Sequence, residues 1–95
     1  MAAYLIVDLD VKDSEKIAEY RRGAGPMVAK HGGRLLVFNG AREVLEGSWT
    51  PKELIIVEFP SMQELKNWYD SAEYRPLIDL RKAAAGGNLI AIEGV

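Results

Sequence analysis

Few side chains suited to acid–base chemistry occur in this 95-residue chain. His31 is the sole histidine, and it could be a general base or an axial haem ligand, or simply complement the dipole at a helix end. Asp8 and Glu58 lie in two predicted central strands; on one face they could share a proton, which would raise one pKa. A carboxylate near a sheet end more often points to water or bonds to Arg or Tyr. Tyr69 completes the candidate catalytic set, for which the sequence indicates no reaction.

A second set of side chains is suited to binding a small organic molecule. Trp68, Tyr69 and Tyr74 could line an aromatic pocket whose hydroxyls orient a polar ligand, or could pack in the core. Arg34, Arg75 and Arg81 could hold a carboxylate through paired hydrogen bonds, whereas arginines on a helix surface are most often solvated. The sequence therefore predicts ligand contacts without deciding between a pocket and a core.

The connector at residues 40–52 is longer than a hairpin needs, and such length is often functional. It carries Glu43, Glu46 and Trp49. A lid over a pocket and an arm that contacts a second subunit are both consistent with this pattern. We favour the arm, because an exposed tryptophan is a common interface anchor.

Composition excludes several kinds of site. The chain has no cysteine, which rules out disulfides, thiolate chemistry and cysteine-ligated zinc. We therefore expect no metal and no cofactor, haem being conceivable only through His31. The net charge of −2, without a block of like charge, argues against nucleic acid and anionic membrane as partners. The opening MAAYLIVDLD has no basic leader and is far shorter than the roughly 20 apolar residues of a membrane span, so a cytoplasmic location is expected.

Hydrophobic periodicity places these residues on strands and helices. Alternating or continuous apolar runs predict strands over residues 4–11, 34–39, 53–59 and 88–93. A first helix begins at Asp13 or Ser14, bends near Pro26 and ends at Gly32. Ser61 and Glu64 form a capping box for a second helix, and a third runs from about Ser71 to Gly86-Gly87.

The order of these elements indicates a fold. Strand–helix–strand–strand–helix–strand is the split βαββαβ pattern of an α+β ferredoxin-like sandwich with a four-stranded antiparallel sheet. The first and third strands pair at its centre. We expect one such domain over residues 1–95.

One face of the predicted sheet lacks a cover within the chain. Besides Tyr4, Ile6, Leu54 and Ile56, it should carry one of two apolar pairs, Leu35/Val37 or Leu36/Phe38. Such a face exceeds the apolar patch of a few hundred Å² that monomers usually tolerate. A second copy is the simplest cover, and two such sheets packed face to face form a dimeric α+β barrel. We therefore predict a homodimer.

These segments also resemble a known family. The run EVLEGSWTPKELIIVEFPSMQELKNWYDSAEYRPL, residues 43–77, with KHGGRLLV before it and NLIAIEGV after it, is similar to the bacterial family called domain of unknown function 1330. The most specific parts are the turn at Glu58–Ser61, the run at Trp68–Tyr74 and the connector that contains Trp49.

The resemblance implies the dimeric α+β barrel superfamily. Relatives there include antibiotic-biosynthesis monooxygenases, muconolactone isomerases and haem-binding dye-decolourising or chlorite-dismutating enzymes, and many bind small organic molecules between sheet and helices. The family itself has no assigned activity. We therefore expect a small-molecule-binding homodimer. It could be a cofactor-free enzyme, similar to a monooxygenase or an isomerase, that acts on an aromatic or carboxylated metabolite. The alternative is a non-catalytic interaction or regulatory module.

Overall fold

Four antiparallel strands and three helices make up the chain, which a computed structural model describes over residues 1–95. The elements are β1 (Ala3–Val11), α1 (Ser14–Lys30), β2 (Arg34–Phe38), β3 (Leu54–Phe59), α2 (Met62–Tyr69), α3 (Arg75–Ala84) and β4 (Ala85–Glu93). The strand order is β2-β3-β1-β4, with β1 and β3 at the centre. The predicted ferredoxin-like sandwich is confirmed. None of the helices is both long enough and apolar enough to span a bilayer, and the expected cytoplasmic location stays a prediction.

The core lies between the sheet and the helices. Along β1, Leu5, Val7 and Leu9 are buried, whereas the residues between them are only partly covered. Val57 and Phe59 of the neighbouring β3 join this buried face. Period-two alternation in the sequence thus reports which side of the sheet the helices cover.

The ends of the helices follow their capping residues. Asp13 accepts a hydrogen bond from the Lys16 amide at 3.0 Å, which starts α1. Gly32, with φ of +79°, ends that helix while the Gly33 amide bonds back to the Val28 carbonyl at 2.9 Å, in the pattern of a Schellman motif. The Ser61 hydroxyl accepts from the Glu64 amide at 3.1 Å, which confirms Ser61 as the N-cap of α2, whereas the Glu64 carboxylate lies beside His31 rather than completing the capping box.

The last strand begins earlier than predicted. Ala85, Gly86 and Gly87 belong to β4 rather than to the end of a helix, and Gly87 pairs with Leu9. Gly87 has φ of +142°, and a Cβ there would lie 2.0 Å from the Asp8 carbonyl oxygen. Gly87 therefore allows close pairing of two strands, a role that cannot be distinguished in sequence from helix termination.

The other face of the sheet is uncovered and apolar. The molecule measures 36 × 36 × 16 Å, a thickness of only two layers. Ile6 pairs with Ile56 on one side and with Ile90 on the other, so three isoleucines lie side by side on this face. The predicted open face of the two central strands is confirmed.

Strand β2 differs from the prediction because its register shifts between Leu35 and Val37. Val37 pairs with Ile56 and therefore shares the open face. Leu35 and Phe38 pair with residues of the helix-covered face instead. Neither predicted pair is intact, since a bulge breaks the alternation on which that prediction depended.

Candidate functional site

A cavity of about 420 Å³ lies between the sheet and α1 and opens towards the edge strand β2. Its walls are mostly aliphatic, with contributions from Leu5, Val7, Leu9 and Val57 of the sheet. The exposed side chains of Leu35 and Phe38 mark its outer end. This volume lies within the range of small-molecule pockets.

Arg81 of α3 places a positive charge in the wall of this cavity. It is the one charged residue in the buried set, with 5% of its surface exposed. Its Nη1 donates to the Tyr74 hydroxyl at 2.7 Å, and it forms no ion pair. Burial by itself lowers the pKa of the Arg81 guanidinium, but the hydroxyls of Tyr74, Tyr20 and Tyr69 outweigh it, and the pKa is raised. Arg81 is therefore a protonated, buried cation whose partners are all neutral phenols.

Tyr74 connects Arg81 to α1. Its side chain is fully buried, and its hydroxyl lies 2.6 Å from that of Tyr20. Burial raises the pKa of the Tyr74 hydroxyl far above its usual range; Tyr20 raises it further, and Arg81 offsets only part of the rise. Either hydroxyl can be the donor in the bond between Tyr20 and Tyr74. In the arrangement in which Tyr74 donates, the proton of Tyr20, which lines the cavity, is free to meet a ligand.

Trp68 also lines the cavity, and it carries a donor without a partner. Its ring packs 4.3 Å from Tyr74 and 5.6 Å from Phe59, measured between centroids, and only 1% of its surface is exposed. Its Nε1 is buried and has no hydrogen-bond partner. A buried N–H group without an acceptor costs free energy, so this atom too is suited to an acceptor on a ligand.

The structure brings together four of the residues proposed from sequence. Trp68, Tyr74 and Arg81 share one cluster, and the Tyr69 ring lies 5.8 Å from that of Tyr74. Tyr69 does not line the main cavity, and it contributes by raising the pKa of Arg81. Tyr20 also belongs to the site and is not among the candidate residues that the sequence indicates. A phenol four residues before the buried Ala24 was the available signal.

His31 lies outside this cluster, and its candidate role as a general base or axial haem ligand stays a prediction. It is the C-terminal cap residue of α1, and its Nδ1 lies 3.8 Å from Glu64. It does not line the cavity. Val28, Ala29 and Gly33 on either side of His31 do line the cavity, whereas the His31 ring lies beside Glu64 instead. No cluster of three His, Asp or Glu side chains suitable for a metal ion is present.

Asp8 and Glu58 share the open face, as predicted, but they are not neighbours. Asp8 pairs with Leu54, whereas Glu58 pairs with Tyr4, four residues along β1. That offset is about 13 Å at the rise of a strand, too far to share a proton. The Trp49 indole donates to the Asp8 carboxylate at 3.0 Å, and the Lys52 amide donates to it at 2.9 Å. Both hydrogen bonds lower the pKa of Asp8.

Glu58 has partners on its own face. It accepts from the Tyr4 hydroxyl at 3.0 Å and from Arg34 at 2.8 Å, so Arg34 contacts the open face rather than the cavity. The prediction that Asp8 and Glu58 share a proton is thus wrong. The alternation along each strand places both carboxylates on one face of the sheet, but the strand register places them at opposite ends of that face.

The connector also lies away from the cavity. Arg42 holds it together through bonds to the carbonyls of Pro51 and Lys52, each 2.7 Å long. Trp49 and Glu43 are exposed, and neither lines the cavity. Because Trp49 is bonded to Asp8 on the open face, the connector lies beside that face, and its role as an arm that contacts a second subunit stays a prediction.

Comparisons with known proteins agree with this architecture. The sequence profile of the family described as Domain of unknown function (DUF1330) matches residues 2–95. Comparison with curated proteins finds no match. Among solved structures, RPA0582, a protein of unknown function from Rhodopseudomonas palustris, is 20% identical with a TM-score of 0.81, over 99% of this chain and 82% of that one.

Two further structures share the fold at lower identity. SnoaB, a cofactor-independent oxygenase from Streptomyces nogalater, is 7% identical with a TM-score of 0.69, over 99% of this chain and 93% of that one. A dimeric ferredoxin-like protein of unknown function from Jannaschia sp. CCS1 is 11% identical with a TM-score of 0.65, over 99% and 100% of the two chains. At these identities the likeness establishes the ferredoxin-like α+β fold of the chain and nothing about chemistry.

Proposed function

Because the chain belongs to the DUF1330 family, for which no activity is described, we propose a function from its cavity. The protein is a homodimeric binding protein for a small organic anion. The anionic group pairs with Arg81, and the apolar remainder of the ligand fills the space between sheet and helices.

The observation that carries this proposal is the burial of Arg81 without an anion. Removing a guanidinium from water costs several kcal/mol unless a counter-charge is present. A hydrogen bond from a charged donor to Tyr74 returns only about 1.5–3 kcal/mol. A carboxylate or enolate on a ligand supplies the missing charge, and Tyr20 and Trp68 offer it two further N–H or O–H donors.

The open sheet face supports the homodimer. Ile90 and Ile92 on that face are half exposed, and Ile6 and Ile56 lie beside them. Two such faces packed about a two-fold axis would bury all four residues in each subunit. The similar fold of a dimeric ferredoxin-like protein supports the same arrangement.

Binding is a better description of this cavity than acid–base catalysis. Its wall contains no Asp, Glu or His, and the raised pKa of Tyr74 keeps that phenol from acting as a base. A cofactor-free monooxygenase- or isomerase-like reaction on an aromatic or carboxylated metabolite is the second candidate. It is favoured by Arg81, which could stabilise an oxyanion that develops on the substrate. The fold shared with a cofactor-independent oxygenase supports it only by analogy.

A thermal-shift screen of small carboxylates, enols and phenols tests the proposal. A ligand at 100 times its dissociation constant stabilises the fold by about 2.7 kcal/mol. The stabilisation should disappear in Arg81→Met and persist in Arg75→Met, which removes an exposed arginine from the same helix. Ligands that stabilise both variants equally would show that Arg81 is not the binding group. Consumption of any hit during incubation would favour the catalytic candidate.

A further inference from the structure

A second arginine lies at the outer end of the cavity, and its charge is already matched. Arg21 of α1 lines the cavity and forms a salt bridge with Glu53, the residue before β3. Its guanidinium lies over the ring of Phe38, 4.8 Å from the centroid. Arg21 thus reaches from the helix layer to the strand ends beside the exposed edge of the cavity.

The two arginines differ in the charge they leave for a ligand. Arg81 is buried and has neutral partners only, whereas Arg21 is about one-third exposed and paired with a carboxylate. The cavity therefore presents one uncompensated positive charge, deep in the wall, and a neutral ion pair at its outer end.

We propose that the Arg21–Glu53 pair makes the cavity selective for monoanions: ligands with a single anionic group and an apolar remainder. This rests on the proposed function, in which Arg81 binds the anionic group. Glu53 is the specificity-determining residue, because it occupies the guanidinium that a second anionic group would otherwise use.

The physical reason is competition for Arg21. A second carboxylate on the ligand would either stay among aliphatic side chains, where an unpaired charge is costly, or approach the carboxylate of Glu53. An apolar ligand end instead packs against Leu35 and Phe38 at no electrostatic cost. Selectivity of this kind comes from a repulsive element as well as an attractive one.

The test compares linear monocarboxylates from butyrate to decanoate with dicarboxylates of the same lengths, by calorimetric titration. The native protein should bind the best monocarboxylate at least about tenfold more tightly than its dicarboxylate. In Glu53→Gln, Arg21 becomes available to the second carboxylate of a dicarboxylate. The ratio of monocarboxylate affinity to dicarboxylate affinity should therefore fall by about tenfold or more, the size expected for one charge-assisted hydrogen bond.

Two further variants separate charge from structural damage. Arg21→Gln leaves Glu53 unpaired beside the cavity, so it should weaken dicarboxylates more than monocarboxylates and raise the ratio. Glu73→Gln removes one negative charge from a surface pair with Lys30, away from the cavity, and should leave the ratio unchanged. Damage to the fold would weaken both ligand classes together in either variant.

The outcomes distinguish this inference from the proposed function. Monocarboxylate binding that depends on Arg81, with a ratio that Glu53→Gln leaves unchanged, overturns the monoanion inference alone. Tighter binding of dicarboxylates by the native protein overturns it as well. Absence of any carboxylate binding, or binding that is independent of Arg81, overturns both.

Discussion

Arg81 donates a hydrogen bond to the hydroxyl of Tyr74 at 2.7 Å, and this neutral phenol stands where a buried arginine would ordinarily have a carboxylate. Tyr74 is itself bonded to Tyr20, so the charge is linked to two helices without being neutralised. An arrangement of this kind holds a cation in position while leaving it able to attract an anion.

The first prediction concerns the stability of the ligand-free protein. A buried guanidinium without a counter-charge costs several kcal/mol, and a hydrophobic side chain of similar size in its place removes that cost. Arg81→Met should therefore keep or raise the free energy of unfolding in urea, because Tyr74 retains its bond to Tyr20. A loss greater than about 2 kcal/mol would instead assign Arg81 a structural role. Arg75→Met is the matched control and should change the stability little, since its pair with Asp70 is exposed.

A second prediction is a loss of stability in alkali that depends on Tyr74. The folded-state pKa of Tyr74 is raised, whereas in the unfolded chain it returns to about 10. Above that pH the unfolded state loses the proton first, so the stability present below about pH 10 decreases as the pH rises. Urea unfolding of native protein and of Tyr74→Phe between about pH 8 and 11 should show a smaller alkaline loss in the variant. Parallel curves for the two proteins would contradict the burial of a neutral phenol.

The fold was predictable because it depends on local patterns. Strand periodicity, the Ser61 N-cap and the glycine that ends α1 each specify an element, and their order specifies the topology. The bulge in β2 and the start of β4 were not predictable, because an extra strand residue and a paired Gly-Gly have no local signature that separates them from regular strand and helix end.

The candidate site was predictable only in part, because it is assembled from distant segments. Trp68 and Tyr74 are close in sequence and meet in the structure. The contact of Tyr74 with Tyr20 spans 54 residues and depends on how α1 lies against α3. Phase along a strand placed Asp8 and Glu58 on one face, but only the strand register shows that they are at different ends.

The third prediction concerns the two glycines of β4. Gly87→Ala should lower the free energy of unfolding by about 1–3 kcal/mol or more, because φ of +142° is strained for alanine and the new Cβ would meet the Asp8 carbonyl. Gly86→Ala meets no atom within 4 Å and should be nearly neutral. Equal effects of the two substitutions, measured by urea unfolding, would contradict the observed strand pairing.

The fourth prediction concerns assembly. The native protein should sediment as a dimer at micromolar concentration, and Ile56→Lys should give monomer or aggregate, because an unpaired charge between two apolar sheet faces costs several kcal/mol. Gln63→Lys adds the same charge to the exposed surface of α2 and should remain dimeric. A native monomer, or a dimer that Ile56→Lys leaves intact, would show that this face is not the interface.

The most direct test of the proposed function is a calorimetric titration of the best monocarboxylate from the screen into native protein, Arg81→Met and Arg75→Met. Loss of one partner of a buried charge pair costs about 2–5 kcal/mol, so affinity should fall by at least about thirtyfold in Arg81→Met. It should be unchanged in Arg75→Met, whose arginine is exposed on the same helix. Equal affinity of all three proteins for the ligand would contradict the assignment of Arg81 as the group that binds the anion.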